Sequence, residues 1–120
     1  MRGLIIRSPW IEKILAGKKT WEIRGSRTKI RGRIALIRAG SGLILGTCDL
    51  VDVVGPLSLK ELKANASKIG SRPIDLPGLR YKTTYAWVLG RSTQLKRPKP
   101  YEHPSGAVIW VKLEKTRGLR

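Results

Sequence analysis

The stretch Gly17-Lys18-Lys19-Thr20-Trp21-Glu22-Ile23-Arg24-Gly25 decides how the chain is read. Upstream of it, Ile11, Ile14 and Leu15 recur at helical spacing, so a short helix buries one side. Ser8 suits the N-cap of that helix, Pro9 its first position and Gly17 its left-handed stop. Trp10 falls in the first turn, at the mouth of the helix, where it serves either as a core anchor or as a platform on which a base stacks. Downstream, strict alternation over Thr20 to Arg24 makes a strand with Thr20, Glu22 and Arg24 on one face and Trp21 and Ile23 on the other. The apolar pair is expected to face the core, and the polar trio a cleft or water. Residues three apart in a strand point to opposite faces, so Lys19 meets Glu22 only if the chain bends between Gly17 and Thr20.

Arg27, Lys29, Arg31 and Arg33 follow at intervals of two. In an extended backbone they share one side, which suits a row of phosphates as well as it suits a solvated loop. Arg33 to Ala39 and Leu43 to Val54 are β-rich runs joined by the turn Gly40-Ser41-Gly42. Cys48 reads as a small core residue, with no adjacent cation in sequence to activate it. Ser58-Leu59-Lys60-Glu61 is a capping box that opens a second helix, which Gly70 ends. Ser71 to Lys82 reads as a long ordered loop. Thr84 to Gly90 is a strand with Tyr85, Trp87 and Leu89 on one face. Ser92 to Tyr101 is an extended basic segment in which Pro98 and Pro100 are expected to block regular pairing. Ala107 to Leu113 is the last strand, and Lys112 to Arg120 a basic tail. Together with a first strand over Gly3 to Arg7, this describes one domain, residues 1–120, of the mainly-β α+β class. About six strands and two short helices suggest a small, partly open β-barrel.

Twenty-five Lys and Arg against eight Asp and Glu give a net charge of +17. A small domain needs a net charge of only about 2–8 for solubility, so the excess points to a polyanionic partner. Charge does not separate RNA from DNA. The single Cys and single His exclude an internal disulfide and a structural zinc site. Scattered acids argue against a metal-dependent nuclease, and the expectation is no metal and no cofactor. Gly17-Lys18-Lys19-Thr20 ends like a phosphate-binding loop, but Glu12 stands where the upstream glycine belongs. His103, in a Pro-flanked loop, reads as a surface or hydrogen-bonding residue. Apolar runs such as Ile34-Ala35-Leu36-Ile37 are far short of a membrane span, and Leu4-Ile5-Ile6 is no signal-peptide core. A soluble cytoplasmic protein is expected.

Gly17 to Arg24 fits the GxKxxExR signature of the ASCH domain (activating signal cointegrator homology), and the chain resembles that family well beyond it. Ser8-Pro9-Trp10 is similar to the family's entry segment, and Tyr85-Ala86-Trp87-Val88-Leu89 and His103-Pro104-Ser105-Gly106-Ala107-Val108-Ile109-Trp110 to its later strands. The resemblance implies a PUA-like β-barrel, a fold used by proteins that bind RNA and read modified bases. It also implies a cleft lined by Lys19, Glu22 and Arg24, with Trp10 and Ser8 beside it and Trp87 and Ser105 closing the other side. Some small members are amidohydrolases acting on N4-acetylcytidine through a lysine, a threonine and a distal glutamate. Lys19 matches that lysine, Glu22 replaces the threonine, and Asn65 to Lys68 offer no acid. Thr20 supplies a hydroxyl two residues away. Another member resembles a metal-independent ribonuclease.

Two readings follow. In the first, an RNA-binding module holds a nucleotide in its cleft, Trp10 and Trp87 stack on it, and Lys19 and Arg24 contact phosphate or base edge. The segments 27–33 and 91–99 then track phosphates. In the second, a hydrolase of RNA or of an acylated nucleoside uses Lys19 as base or activator, with Glu22 or Thr20 assisting. An ion pair between Lys19 and Glu22 favours the first, because the carboxylate stabilises the ammonium.

Overall fold

The computed structural model describes residues 1–113. The basic tail expected beyond that point lies outside the described residues, apart from Lys112 and Leu113. Six strands form one sheet: β1 (Arg2–Ile6), β2 (Trp21–Arg24), β3 (Gly32–Arg38), β4 (Leu43–Val54), β5 (Tyr85–Pro100) and β6 (Trp110–Lys112). Their order across the sheet is β2-β5-β4-β3-β1-β6. The pair β1 and β3 is parallel, and the other neighbours are antiparallel. The sheet curls into a half-barrel.

A parallel pair needs a crossover connection. Here α1 (Trp10–Leu15) begins it, placing Ile11 and Ile14, both fully buried, against the sheet. They pack with Leu4, Ile6, Ile34, Leu36 and Trp87. The alternate residues of β3, Ala35 and Ile37, enter a second cluster with Ile44 and Val111 on the opposite side. That is why Ile34 to Ile37 is apolar throughout: the strand is covered on both faces. Cys48 lies in the first cluster, where burial pushes its thiol up to about 12.

Gly17 follows α1 with φ 75°, the left-handed stop expected of it. The start of α1 differs from expectation. Pro9 occupies the N-cap after a cis Ser8–Pro9 bond, and no side chain caps the helix. Ser8 Oγ instead donates to Glu12 Oε2 at 2.7 Å. The second helix is broken at Asn65 into α2 (Leu59–Ala64) and α3 (Ala66–Ile69), after the expected capping box of Ser58 and Glu61. The loop after it contains a 3-10 helix, Pro73–Leu79. Leu62, Ala66, Ile69 and Leu76 from these elements form a small third cluster. Trp21 and Ile23 pack on that cluster, not on the main core.

Two strand boundaries also moved. β5 runs on to Pro100 despite its prolines. β2 pairs only Tyr85 to Val88, so the distal half of β5 has β4 as its partner and Pro98 and Pro100 lie along an edge, where a missing N–H is tolerated. The register between Ile44 and Gly46 also jumps from Lys99 to Gln94, which takes up the irregular stretch. Conversely, β6 is confined to Trp110–Lys112, and Ala107 to Ile109 lie outside it. Val108 is 76% exposed there and lines a cleft beside the sheet.

Candidate nucleic-acid site

β2 occupies one edge of the sheet, and α3 packs beside it. Between them the chain bends as required: Thr20 N donates to Lys68 O at 2.8 Å, and Thr20 O accepts from Leu89 N at 2.7 Å. With both backbone groups of Thr20 held this way, its side chain is exposed and Lys19 is turned inward. Lys19 is 3% exposed and Glu22 7%. They line a cleft of about 610 Å³ with Arg24, Trp10, Arg7, Tyr81 and His103 among its walls.

The bonding of Lys19 fixes what it can do. Nζ donates to Trp21 O at 2.6 Å and Ile69 O at 2.9 Å, and lies 3.5 Å from Glu22 Oε1. An ammonium has three hydrogens and no lone pair, so these acceptors account for all of them. Burial lowers the Lys19 pKa from its usual 10.5, opposed by the Glu22 carboxylate, which raises it. Lys19 is thus a cross-brace between β2 and α3 that also steadies Glu22.

Glu22 is shared. Its Oε2 accepts from Arg24 Nε at 3.1 Å and lies 3.0 Å from Arg24 Nη2. Arg24 Nη2 also donates to Ile5 O at 2.9 Å. Its Nη1 makes no hydrogen bond among the described residues, which leaves two N–H groups for a ligand. The guanidinium lies 5.4 Å from the Trp87 ring centroid. Three cationic side chains and one carboxylate therefore line the cleft, and the carboxylate is engaged by two of those cations.

The other expected site residues divide. Trp10 lines the cleft, with Lys13 and Lys19 ammonium groups 4.9 Å and 5.0 Å from its ring centroid. Trp87 does not reach it. It is 1% exposed, stacks on Trp110 at 5.7 Å and donates from Nε1 to Ser26 O at 2.8 Å. No base can stack on Trp87; it instead supports Arg24 from beneath. Ser8 and Ser105 are exposed and outside the lining, and Thr20 is outside it as well. The 101–109 loop contributes His103, Ala107 and Val108 instead.

The row from Arg27 to Arg33 does not lie along one side. Arg27 donates to Gly55 O at 3.2 Å and sits 5.5 Å from the Tyr85 ring centroid. Arg31 turns back on Thr28 O and Ile30 O, both at 2.8 Å. Lys29 is exposed. Arg33 crosses the sheet to Asp49, at 3.3 Å, and to Thr47, Thr93 and Arg91 O. The alternation fails because β3 begins at Gly32, which detaches Arg33 from the loop before it.

Sequence reasoning missed Arg7, Tyr81 and His103 as lining residues. His103 Nδ1 lies 2.7 Å from Tyr101 Oη and Nε2 2.9 Å from Ala107 O, so the ring is clamped on both sides. Tyr81 had a signal: Gly25, at the end of the motif, packs its Cα under the Tyr81 ring, where a Cβ would come within 2.9 Å. Among the described residues no three His, Cys, Asp or Glu side chains come together as a metal site. No helix among them is long and apolar enough to cross a membrane.

A curled six-stranded sheet with short helices and a charged cleft beside its edge strand places the protein in the PUA-like class. Within that class, a family model described as the ASCH domain matches residues 4–105, and the chain belongs to the ASCH domain family. The crystal structure of ASCH from Zymomonas mobilis is similar at a TM-score of 0.73 and 16% identity, covering 95% of this chain and 87% of that one. A tyrosine-to-phenylalanine mutant of the Zymomonas mobilis protein gives 0.71 at 17% identity, with 95% and 90% covered. Its serine-to-alanine mutant gives 0.69 at 17% identity, with 95% and 88% covered. At such identity the likeness speaks for the fold. No curated protein matches the chain.

Proposed function

We propose that the protein binds RNA and that the cleft between β2, α1 and the 101–109 loop takes a nucleotide. The observation that carries this is the arrangement of Arg24, a residue of the cleft wall whose Nε and Nη2 are pinned by Glu22 and Ile5 while Nη1 stays unbonded among the described residues. A preorganised guanidinium with free N–H groups suits a phosphate or the acceptor edge of a base. Arg7, exposed at the rim, adds a second cation. Trp10 and Tyr81 supply aromatic walls, as recognition of unstacked bases requires. The net charge of +17 would draw a polyanion to this surface, and the family is generally RNA-binding.

Exposed cations at Arg27, Lys29 and Arg31, and at Arg91, Lys96 and Arg97 on the free edge of β5, would hold further phosphates. Hydrolysis gains less support. A Lys19 whose ammonium hydrogens are all engaged is poorly disposed to act as a base, Thr20 points away, and Glu61 is committed to the α2 capping box.

The test is binding of a labelled single-stranded RNA, with the same sequence as DNA beside it, at fixed salt. Arg24→Ala should weaken RNA binding about tenfold or more, as expected for losing a charged hydrogen-bonding group. Its thermal unfolding is measured in parallel. Unchanged RNA affinity in a folded Arg24→Ala protein would overturn the proposal. Tighter binding of the DNA would transfer the reading to that polymer. Incubation with RNA and with an acylated cytidine, in the presence of chelator, is expected to give no product.

A further inference from the structure

Beside the cleft lies a second hollow of about 580 Å³, lined by Trp10, Lys13, Ser67, Gly70, Arg72 and Asp75 among others. Trp10 and Leu79 belong to the linings of both, so they form the partition between the two spaces. Lys19 lines only the first and Lys13 only the second, yet both ammonium groups lie within 5.0 Å of the Trp10 ring centroid. Each is anchored on a carbonyl at the C-terminal end of α3: Lys19 on Ile69 O, of its last residue, at 2.9 Å and Lys13 on Gly70 O, of its C-cap, at 2.7 Å. Cations suit these carbonyls, which have no acceptor role left inside the helix. The partition is therefore held from both sides.

The two lysines differ in what they have left. Lys19 has spent its hydrogens on Trp21 O, Ile69 O and Glu22. Lys13 spends one on Gly70 O and keeps two, on a half-buried side chain facing the hollow. Arg72 lines the same hollow, its Nε and Nη2 held by Asp75 at 2.9 Å and 3.3 Å, so that carboxylate's charge is already matched. The hollow thus carries one net positive charge from Lys13, Arg72 and Asp75.

We infer that the hollow is a second nucleotide subsite, and that the ligand is a single strand of at least two nucleotides running across the edge of Trp10. This rests on the RNA reading of the first cleft. One nucleotide occupies the cleft against Arg24, the connecting phosphate passes the partition, and the neighbouring nucleotide enters the hollow with its phosphate against Lys13 and Arg72. A duplex cannot make this crossing, because its stacked bases leave no gap for an indole between them.

The experiment is competition. Equimolar mixtures of the four ribonucleoside 5′-monophosphates, the sixteen 5′-phosphorylated dinucleotides and a random 5′-phosphorylated trinucleotide pool displace a labelled single-stranded RNA from the full chain at fixed salt. For the parent protein, dinucleotides should compete about tenfold better than mononucleotides, the gain expected of one more base and phosphate contact. Arg72→Ala, at an exposed position where folding is not at risk, and Lys13→Ala should each shrink that step to about threefold or less. Arg24→Ala should weaken every length and keep the step. A parent protein with no step, or variants at Lys13 and Arg72 that retain it in full, would overturn the second subsite while leaving the first cleft intact. Failure of the parent to bind the labelled RNA at all overturns the RNA reading, and this inference falls with it.

Discussion

Two stretches of this chain carry basic residues at close intervals and end in opposite conditions. Between Lys19 and Arg24 the cations are drawn inward. Lys19 and Arg24 side chains are 2% and 16% exposed, and both hold the same carboxylate. Between Arg27 and Arg31 the cations face solvent, and their partners are carbonyls of nearby backbone. Charge alone does not separate the two. The difference is the set of acceptors on the neighbouring elements. Ile69 O and Ile5 O, from α3 and β1, converge on the first stretch and add to its own Trp21 O and Glu22. No side-chain carboxylate meets Arg27 or Arg31 in the second among the described residues. A buried cation with every hydrogen engaged, as Lys19 is, becomes part of the architecture, while one with N–H groups left over, as Arg24 has, or one facing solvent remains available to a partner.

The sharpest way to break this comparison is Lys19→Ala. Removing one partner of a buried, hydrogen-bonded ion pair should cost about 3–5 kcal/mol, because Glu22 and two carbonyls lose their donor. Urea unfolding measures it. If Lys19 were a solvent-facing group like Arg31, the loss would be within the ordinary surface range. Lost RNA affinity in Lys19→Ala would report a deformed cleft, since Lys19 braces β2 against α3. Arg24→Ala also takes a partner from Glu22, so its defect is read beside Arg7→Ala, at an exposed rim cation that pairs with no carboxylate among the described residues.

Sequence and structure agree where local rules operate and part where tertiary packing chooses. The Gly17 stop, the Ser58–Glu61 box and the six strands follow from chain-local chemistry, and each could be read without a partner in view. The two tryptophans show the limit. The resemblance implies a cleft with both Trp10 and Trp87 at its sides, and only Trp10 lies there. Alternation in β5 placed Trp87 on a face, but it could not say that α1 and β6 would cover that face. In the same way, Thr20 shares strand parity with Glu22 and Arg24. It leaves their face because α3 binds its N–H just before β2 begins. Arg7 and His103 come from segments far from the motif, and only the folded chain brings them to it.

A second test of the buried stretch is its pH dependence. The Lys19 pKa is lowered in the folded state, so above that folded value the unfolded chain binds more protons than the native one. Stability attributable to Lys19 therefore rises as pH climbs through its folded pKa toward 10.5, and is flat below that window. Unfolding free energies of the parent and Lys19→Met across this alkaline range isolate the contribution, since other titrating groups are common to both. The gap should move in favour of the parent with rising pH. A gap that moves the other way would mean that Glu22 outweighs burial, making Lys19 a raised-pKa partner.

The exposed stretch should give the smallest effect on stability and a distinctive one on binding. Replacing Arg27, Lys29 and Arg31 each by Gln should leave stability within about 0.5 kcal/mol per site, as for most surface changes. Arg27 is the strictest case, since it gives up a hydrogen bond to Gly55 O and a ring contact with Tyr85. For RNA the three act together through counterion release, at about 0.7 units of log affinity per log salt for each phosphate held on a single strand. The triple variant should therefore flatten the salt slope by about 2. A flattened slope with stability unchanged would fix these residues as phosphate contacts outside the cleft. An unchanged slope would leave them as solvated cations, and the long-range attraction would then rest on the free edge of β5.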